Sequence, residues 1–429
     1  MSTSTNATTG ANASGSTGAS PGTGADANTN IPTELQRRFA AAFMANRPVP
    51  PVTLVRGAGS RVWDTEGREY LDMFAGIAVS ALGHAHPALV EAVSAQVAKI
   101  AHTSPLLMNE NEVPLAERLL QLLGYDGRVY LCNSGTEANE AALKIVRKHA
   151  GPEGFVVAAH DGFHGRTMGA LALTGKAAIR EPFGPYGIDV RFVPYGDSAA
   201  LTAAVTDGCA AVFLEPAQGE AGVIPPPDGY LTAARKACDE TGALLVIDEI
   251  QSGIGRTGTW FAHQREDVRP DILTLAKGLG GGIPIGACIG VGAAGDVFAL
   301  GDHGCTFGGN PLSTAAALAV LDTIERENLL TAAATVGELL RTGLGAIEHP
   351  LLEGVRGRGL LLALALPGPL STVVEAAARE AGYLVNIVRP DAIRLAPALT
   401  MTTAQARSFV DAVPAILDAA AAAAAAKEA

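Results

Sequence analysis

Cysteine is scarce in this sequence, and its few cysteines are not paired. Cys132, Cys209, Cys238, Cys288 and Cys305 lie far apart, with no CxxC pair and no histidine at metal-ligand spacing. Scattered cysteines in an odd number are typical of free thiols in a reducing compartment. We therefore expect neither a disulfide framework nor a bound metal.

Long hydrophobic runs and basic clusters are also missing. No apolar run approaches the ~18 residues that a membrane-spanning helix needs, and the first residues lack the features of a secretory signal. The net charge is −12, from 31 Lys and Arg against 43 Asp and Glu, and there is no basic block. Nucleic acid and anionic membranes are therefore poor partners, and we expect a cytoplasmic protein.

The two chain ends differ in composition from the middle. Residues 1–30 contain no Leu, Ile, Val, Phe, Trp or Tyr, so we predict a disordered tail. The C-terminal stretch AILDAAAAAAAAKEA predicts the end of a helix. Residues 31–85 and 325–429 lack the strand–helix alternation of residues 86–324. We predict a smaller domain built from both chain ends and a large domain over residues 86–324.

Five short apolar runs dominate the middle of the chain: RVYLC, GFVVAAH, AAVFLEP, ALLVIDE and DILTLAK. Strands that are apolar throughout are typical of a parallel sheet covered on both faces. The sequence therefore predicts an α/β fold with a mainly parallel sheet. A further stretch, GSRVWDTEGREYLDM, predicts a strand pair that turns at Glu66-Gly67, which gives the smaller domain an α+β character.

Each of the five predicted strands runs into a polar cluster at its carboxyl end. The clusters are NSGTEANE, DGFHGRT, EPAQGE, DEIQSG and AKGLGGG. Open α/β sheets bind ligands in the crevice at the carboxyl ends of their strands. We therefore expect one functional site at this edge.

Three of these clusters carry complementary chemistry. Gly135 and Thr136 open a helix whose N–H groups can bind a phosphate, although the same pattern suits an ordinary N-cap. Asp248 ends a buried strand and needs a partner, which could be a metal, an arginine or a protonated ring nitrogen, unless it caps a turn. Lys277 could point into water, or could form a Schiff base with an aldehyde. Together the three fit one cofactor, pyridoxal 5′-phosphate.

Longer motifs around these residues carry a family resemblance. They are NSGTEANEAALK, FHGRTMGALALTG, LEPAQGE, DEIQSGIGRTG, DILTLAKGLGGGIPIGA and HGCTFGGNP. Through them, from about residue 59 to residue 402, the chain resembles the class III aminotransferases of the pyridoxal-phosphate-dependent transferase fold type I. Within that class FHGRTMGALALTG, GYLVNIVRPDAIRLAPAL and RGRGLLLALAL are most similar to the acetylornithine aminotransferases of arginine biosynthesis.

The resemblance implies a set of cofactor-binding residues. Lys277 is expected to bind the cofactor covalently and to move the proton, and Asp248 to pair with the ring nitrogen. The further contacts that it implies are Gly135, Thr136, Phe163, Glu249, Ile250, Gln251 and, across the interface of a homodimer, Thr306.

The resemblance also implies how substrates are held. Arg166 would bind a substrate carboxylate, and Arg394 the α-carboxylate of 2-oxoglutarate. Glu220 would neutralise Arg394 while the amine substrate is bound, and Cys305 would line the substrate pocket. The implied reaction converts N2-acetylornithine and 2-oxoglutarate to N-acetylglutamate 5-semialdehyde and glutamate. We interpret His164 as a structural turn residue.

Several positions on the substrate side depart from the family pattern. Cys305 stands where Ser or Thr is usual, Ser80 where Asn is common, and Pro105 and Leu107 where Asn and Tyr are common. Ornithine, succinylornithine, succinyl-diaminopimelate and 4-aminobutyrate are therefore alternative amino donors. An epimerase or lyase, and a cofactor-binding protein without catalysis, are alternatives of other classes.

Overall fold

A computed structural model describes residues 33–428. The predicted disordered tail, residues 1–30, lies outside the described residues. The chain divides into two compact units, residues 1–53 and residues 54–429. The described part of the first unit forms helix α1 (Glu34–Ala42). Thr33 and Gln36 cap this helix reciprocally, each side chain accepting from the other's backbone N–H.

The second unit begins with a small sheet that joins distant parts of the chain. Strands β1 (Leu54–Ala58), β2 (Arg61–Asp64) and β3 (Glu69–Asp72) are antiparallel, and the short β13 (Tyr383–Leu384) lies parallel to β3. The predicted strand pair with its turn at Glu66-Gly67 is confirmed. The boundaries of the predicted smaller and large domains stay a prediction.

A seven-stranded sheet forms the centre of this unit. Its strands are β4 (Gly127–Cys132), β5 (Phe155–Ala159), β6 (Val190–Val193), β7 (Cys209–Leu214), β8 (Leu244–Asp248), β9 (Ile272–Leu275) and β10 (Gly286–Val291). Their order is β4-β10-β9-β8-β7-β5-β6, and only β10 runs antiparallel to its neighbours. All five predicted strands are present and point the same way, which confirms the mainly parallel sheet.

A third, antiparallel sheet lies near the C-terminus. It consists of β11 (Gly354–Arg358), β12 (Leu361–Ala365), β15 (Ala392–Leu395) and β14 (Asn386–Arg389), in that order. In the pairing of β14 with β15, Asn386 lies directly opposite Arg394.

Helices pack on the sheets and connect their strands. Their bounds are α2 (Ala75–Ala78), α3 (Pro87–Lys99), α4 (Glu112–Leu123), α5 (Gly135–Ala150), α6 (Met168–Leu173), α7 (Ala177–Arg180), α8 (Ser198–Ala204), α9 (Tyr230–Thr241), α10 (Pro311–Arg326), α11 (Leu329–Gly345), α12 (Ser371–Glu380) and α13 (Thr403–Glu428). Helix α5 follows β4 directly, so its N-terminus lies at the carboxyl edge of the large sheet.

Helix α13 corrects one expectation from the sequence. Its residues 403–426 include an 18-residue window with a mean hydropathy of 1.6, and they are long and apolar enough to cross a membrane. Much of that value comes from alanine, which is a strong helix former and only weakly apolar. Phe409, Val413 and Leu417 form a buried stripe at helical spacing and pack in the protein core. Such a stripe is typical of a helix in the core of a folded domain.

Candidate active site

Lys277 lies two residues beyond the end of β9, at the carboxyl edge of the large sheet. It opens a short 3₁₀ segment, Lys277–Gly280, and its φ of 43° is unusual for a residue with a side chain. Burial lowers the pKa of the Lys277 amine. The nearby charge of Glu220 opposes that shift, and Arg394 adds to it. The amine therefore loses its proton more easily than that of an exposed lysine.

Asp248 is held by three hydrogen-bond donors. It is 3% exposed, and its Oδ2 lies 2.8 Å from Asn139 Nδ2 and 2.8 Å from His164 Nδ1. Its Oδ1 accepts from the backbone N–H of Ile250 at 3.0 Å. Burial alone would lower the pKa of His164, but the hydrogen bond with Asp248 raises it. An imidazolium at His164 thus stabilises the Asp248 carboxylate.

His164 and Asn139 lie in the candidate site, although the sequence does not predict a role for either of them there. The sequence favours a turn histidine at this position, yet the buried ring of His164 contacts Asp248 at the end of β8. Asn139 also donates to the backbone carbonyl of His164 at 2.7 Å, so it fixes both members of the pair. The one available signal was that both residues stand in the polar clusters NSGTEANE and DGFHGRT.

The N-terminus of α5 is tied to the loop that carries Arg166. Ser134 caps the helix, and Thr136 Oγ1 accepts from the backbone N–H groups of Arg166 and Thr167, both at 3.2 Å. The first N–H groups of any helix have no intrahelical acceptor and favour an anion. A Cβ on Gly135 would lie 2.8 Å from the Ile250 side chain, so glycine is needed where these two segments meet.

Glu215 joins two other segments of the site. Its carboxylate accepts from the backbone N–H of Phe163 at 3.0 Å and from that of Gly219 at 3.3 Å. Burial raises the pKa of Glu215 to about 7. Arg166 is exposed, and its guanidinium carbon lies 5.8 Å from the centre of the Phe163 ring. Glu215 stands in the polar cluster EPAQGE, but no pattern in the sequence predicts its role in this site.

Arg394 is a buried cation rather than a surface residue of its strand. It is 1% exposed, and its Nη1 donates to Glu220 Oε1 at 2.5 Å and to Gln251 Oε1 at 3.0 Å. Burial would raise the pKa of Glu220, but the charge and hydrogen bond of Arg394 lower it. The two are therefore an ion pair. A Cβ on Gly219 would lie 2.0 Å from Gln251 Oε1, so this glycine makes room for the Gln251 amide.

Three predicted site residues lie apart from these contacts. Glu249 is fully buried and accepts from Ser252 Oγ at 2.5 Å, while its other oxygen lies 2.9 Å from His263 Nδ1. Cys305 Sγ lies 3.7 Å from Asn133 Nδ2, and Thr306 is exposed. The cofactor roles of Glu249 and Thr306 therefore rest on the resemblance.

The arrangement suits pyridoxal 5′-phosphate. A helix N-terminus lies where a phosphate can bind, a buried carboxylate with three hydrogen-bond donors can pair with a protonated ring nitrogen, and a lysine amine with a lowered pKa lies at the same edge. Gly135 and Gly219 let the Ile250 and Gln251 side chains pack closely at this edge, where a Cβ would clash with them. These features agree with the donor set that the cofactor needs.

Comparison with known proteins gives the class. The family model for class-III aminotransferases matches residues 43–417, which is most of the chain. The chain therefore belongs to the class-III aminotransferases, and it depends on pyridoxal 5′-phosphate as this class does.

The chain is also similar to individual aminotransferases. The chain is 55% identical to an acetylornithine aminotransferase of Streptomyces coelicolor, over 90% of this chain and 96% of the relative. It is 54% identical to one of Mycolicibacterium smegmatis, over 90% and 99%. Among solved structures, the ornithine aminotransferase of Toxoplasma gondii, with pyridoxal phosphate in partial occupancy, aligns with a TM-score of 0.87 at 34% identity, covering 90% and 94%.

Proposed function

We propose that this enzyme transfers the δ-amino group of N2-acetylornithine to 2-oxoglutarate. The products are N-acetylglutamate 5-semialdehyde and glutamate, and the reaction belongs to arginine biosynthesis. The observation that carries the proposal is the buried Arg394–Glu220 pair beside Lys277. The identity to acetylornithine aminotransferases over nine-tenths of the chain supports the choice of donor.

The phosphate and ring of the cofactor are held by residues from three segments in this proposal. Gly135 and Thr136 bind its phosphate, Asp248 its ring nitrogen, and Phe163 and Ile250 its two ring faces. When bound, pyridoxal 5′-phosphate supplies an electron sink that stabilises negative charge on the substrate carbon. Everything else in the reaction is done by side chains of this chain.

Lys277 is the residue that binds the cofactor and moves the proton. Its lowered pKa leaves a larger share of the amine unprotonated near neutral pH, and only that form can act as a nucleophile or a base. We expect Lys277→Ala to lose all turnover, whereas Lys236→Ala, at an exposed lysine of α9, should retain it. Measured turnover by the purified Lys277→Ala enzyme would contradict this role.

Two substrates of different charge use one pocket in turn. Arg166 binds the carboxylate of the amino donor, for which a planar guanidinium is well suited. Arg394 is neutralised by Glu220 while the donor is bound. When 2-oxoglutarate enters, its α-carboxylate replaces Glu220 on Arg394, since an unpaired buried cation is costly.

The proposal includes a cytoplasmic homodimer with active sites at its interface. Thr306 of the partner subunit would complete the phosphate site, and Cys305 would line the substrate pocket. The exposed position of Thr306 and of the adjacent Phe307, which is 59% exposed, supports this assembly. The acidic net charge fits small-molecule substrates and gives no support to nucleic acid as a partner.

A titration of the two half-reactions tests the substrate. The enzyme loaded with cofactor is mixed with N-acetylornithine in the absence of a keto acid, and the visible absorbance of the bound cofactor is followed. We expect this absorbance to fall at low donor concentration and to return when 2-oxoglutarate is added. If another donor alone has this effect, the donor assignment is wrong. If 2-oxoglutarate does not restore the absorbance, the acceptor is wrong.

Ornithine is the second candidate donor. The fold is close to that of an ornithine aminotransferase, and the thiol of Cys305 is a weak hydrogen-bond donor where the family usually has a hydroxyl. Running the same titration with ornithine, succinylornithine, succinyl-diaminopimelate and 4-aminobutyrate ranks the donors directly. An epimerase or lyase would turn over without any keto acid.

A further inference from the structure

The buried Arg394 guanidinium is held from two sides by partners of different charge. On one side Nη1 binds the Glu220 carboxylate. On the other side Nε and Nη2 both donate to the side-chain oxygen of Asn386, at 3.0 Å and 2.6 Å. Asn386 thus satisfies two of the donors of Arg394 without contributing a negative charge.

The position of Asn386 is set by backbone pairing. It lies directly opposite Arg394 in the antiparallel ladder of β14 and β15. Side chains of directly opposed residues stand on the same face of a sheet and are close enough to interact. The contact between Asn386 and Arg394 therefore does not depend on which substrate is bound.

Glu220 is attached differently. It lies outside the strands of the large sheet, in the segment after β7, and its side chain is 25% exposed. Its backbone carbonyl is anchored by Lys176 Nζ at 2.6 Å, and the carbonyl of Gly222 accepts from Arg356 Nε at 2.9 Å. With the backbone fixed at both points, rotation of the Glu220 side chain is enough to free Arg394.

We propose that Asn386 is the positioning residue that keeps Arg394 in place when Glu220 releases it. Its neutrality keeps the charge of Arg394 available for the carboxylate of the keto acid. A carboxylate at position 386 would be a second counterion that cannot rotate away, and it would neutralise Arg394 in both halves of the reaction. This inference rests on the proposed function, in which Arg394 binds 2-oxoglutarate.

The Asn386→Asp variant tests whether the side chain at position 386 must be uncharged. We expect the KM for 2-oxoglutarate to rise about 100-fold, while the KM and the rate of the half-reaction with N-acetylornithine change less than about threefold. Glutarate, a dicarboxylate without a keto group, provides a readout without turnover, and its Kd should rise by a similar factor. Ile387→Asp is the matched control, because Ile387 is the next residue of β14 and points to the opposite face. It should leave both KM values unchanged.

The Asn386→Ala variant tests the positioning separately and covers the case in which the charged variant fails to fold. We expect about a tenfold rise in the KM for 2-oxoglutarate with little change in the donor half-reaction. A KM within twofold of the wild-type value in either folded variant, or equal losses in both half-reactions, would overturn the proposal. If the wild-type enzyme itself does not use 2-oxoglutarate, it is the proposed function that fails, and this is seen before any variant is made.

Discussion

At the scale of single residues, the charge of Asp248 depends on its neighbours. A carboxylate that is 3% exposed is costly unless it is paired and hydrogen-bonded. Asn139 and the Ile250 N–H contribute neutral donors, and only His164 can contribute a positive charge. The ability of Asp248 to hold a protonated ring nitrogen therefore depends on a histidine one residue away from Phe163.

Replacing His164 should weaken cofactor binding. In His164→Phe the buried Asp248 carboxylate loses its hydrogen bond to His164, so it is less well placed to hold a protonated ring. Because the neighbouring Phe213 ring already packs against His164, an aromatic replacement fits the site. We expect the Kd of the apoenzyme for pyridoxal 5′-phosphate, measured by fluorescence titration, to rise about tenfold. His160→Phe, at an exposed histidine, is the control, and equal Kd values in both variants would contradict the role of His164.

Glu215 should make stability depend on pH. Its pKa of about 7 in the folded protein is above the ordinary 4.5, because burial disfavours the charged form. The stability that this group contributes is therefore present below the ordinary pKa and is lost as the pH rises through 7. Over that range the loss is on the order of 3 kcal/mol.

The Glu215→Gln variant isolates this effect. Gln cannot ionise, so we expect the Tm of the wild-type apoenzyme to fall relative to that of the variant between about pH 5 and about pH 8. Differential scanning fluorimetry of both proteins across this range measures the difference, and other titrating groups cancel in the comparison. Parallel Tm curves would show that Glu215 does not titrate in this range.

Some site residues stand out in the sequence and others do not. Lys277 and Arg394 are charged residues inside or beside apolar runs, a rare context that draws attention to them. No sequence pattern distinguishes Asn139 and Asn386 from other polar residues, and only their contacts in the folded protein do so. Asn139 meets Asp248 across 109 residues of sequence, and no local pattern carries that information.

At the scale of elements, four of the five predicted strands are buried at every position, and only β4 is partly exposed. Strands β5, β7 and β8 are buried at every position, and such strands are apolar throughout. Strand β10, GACIGV, was missed because glycine disfavours strands in general. Here Gly290 is needed, since a Cβ on it would lie 2.7 Å from the backbone of Gly295.

Helix α13 should contribute to stability through its buried residues up to Ala420 and little through the exposed residues that follow. Phe409 is 1% exposed and packs edge-on against Tyr383, with the ring centres 5.3 Å apart. We expect Phe409→Ala to reduce the free energy of unfolding by about 3–5 kcal/mol. Ala423→Ser, at an exposed position of the same helix, should change it by less than about 0.5 kcal/mol. Urea unfolding of the two variants, monitored by circular dichroism, measures the difference. Equal midpoints would contradict a core role for α13.

At the scale of the whole molecule, large apolar side chains are exposed near the predicted substrate segments. Leu106 is 89% exposed, Met108 is 78% exposed and Phe307 is 59% exposed. Several large exposed side chains of this kind mark an interaction surface rather than the ordinary surface of a monomer. They support the proposed homodimer.

The double variant Leu106→Glu/Met108→Glu should dissociate that dimer. Four like charges would be buried across a two-fold interface, and desolvating them is costly. We expect sedimentation to show the monomer mass at micromolar concentration and activity to fall at least tenfold, because Thr306 of the partner subunit is lost. Ala423→Glu/Ala425→Glu adds the same charge at exposed positions and should change neither property. A variant that stays dimeric would place the interface elsewhere.

The order of apolar runs and polar clusters was enough to infer a mainly parallel sheet, a site at its carboxyl edge, and the cofactor chemistry of Lys277 and Asp248. These features follow from short-range patterns, because strand burial and helix N-termini are local properties of the chain. The partners of Asp248, the buried environment of Arg394 and its contact with Asn386 were decided by the fold alone. Each of them joins segments far apart in sequence, and such contacts arise only when separate elements pack against one another.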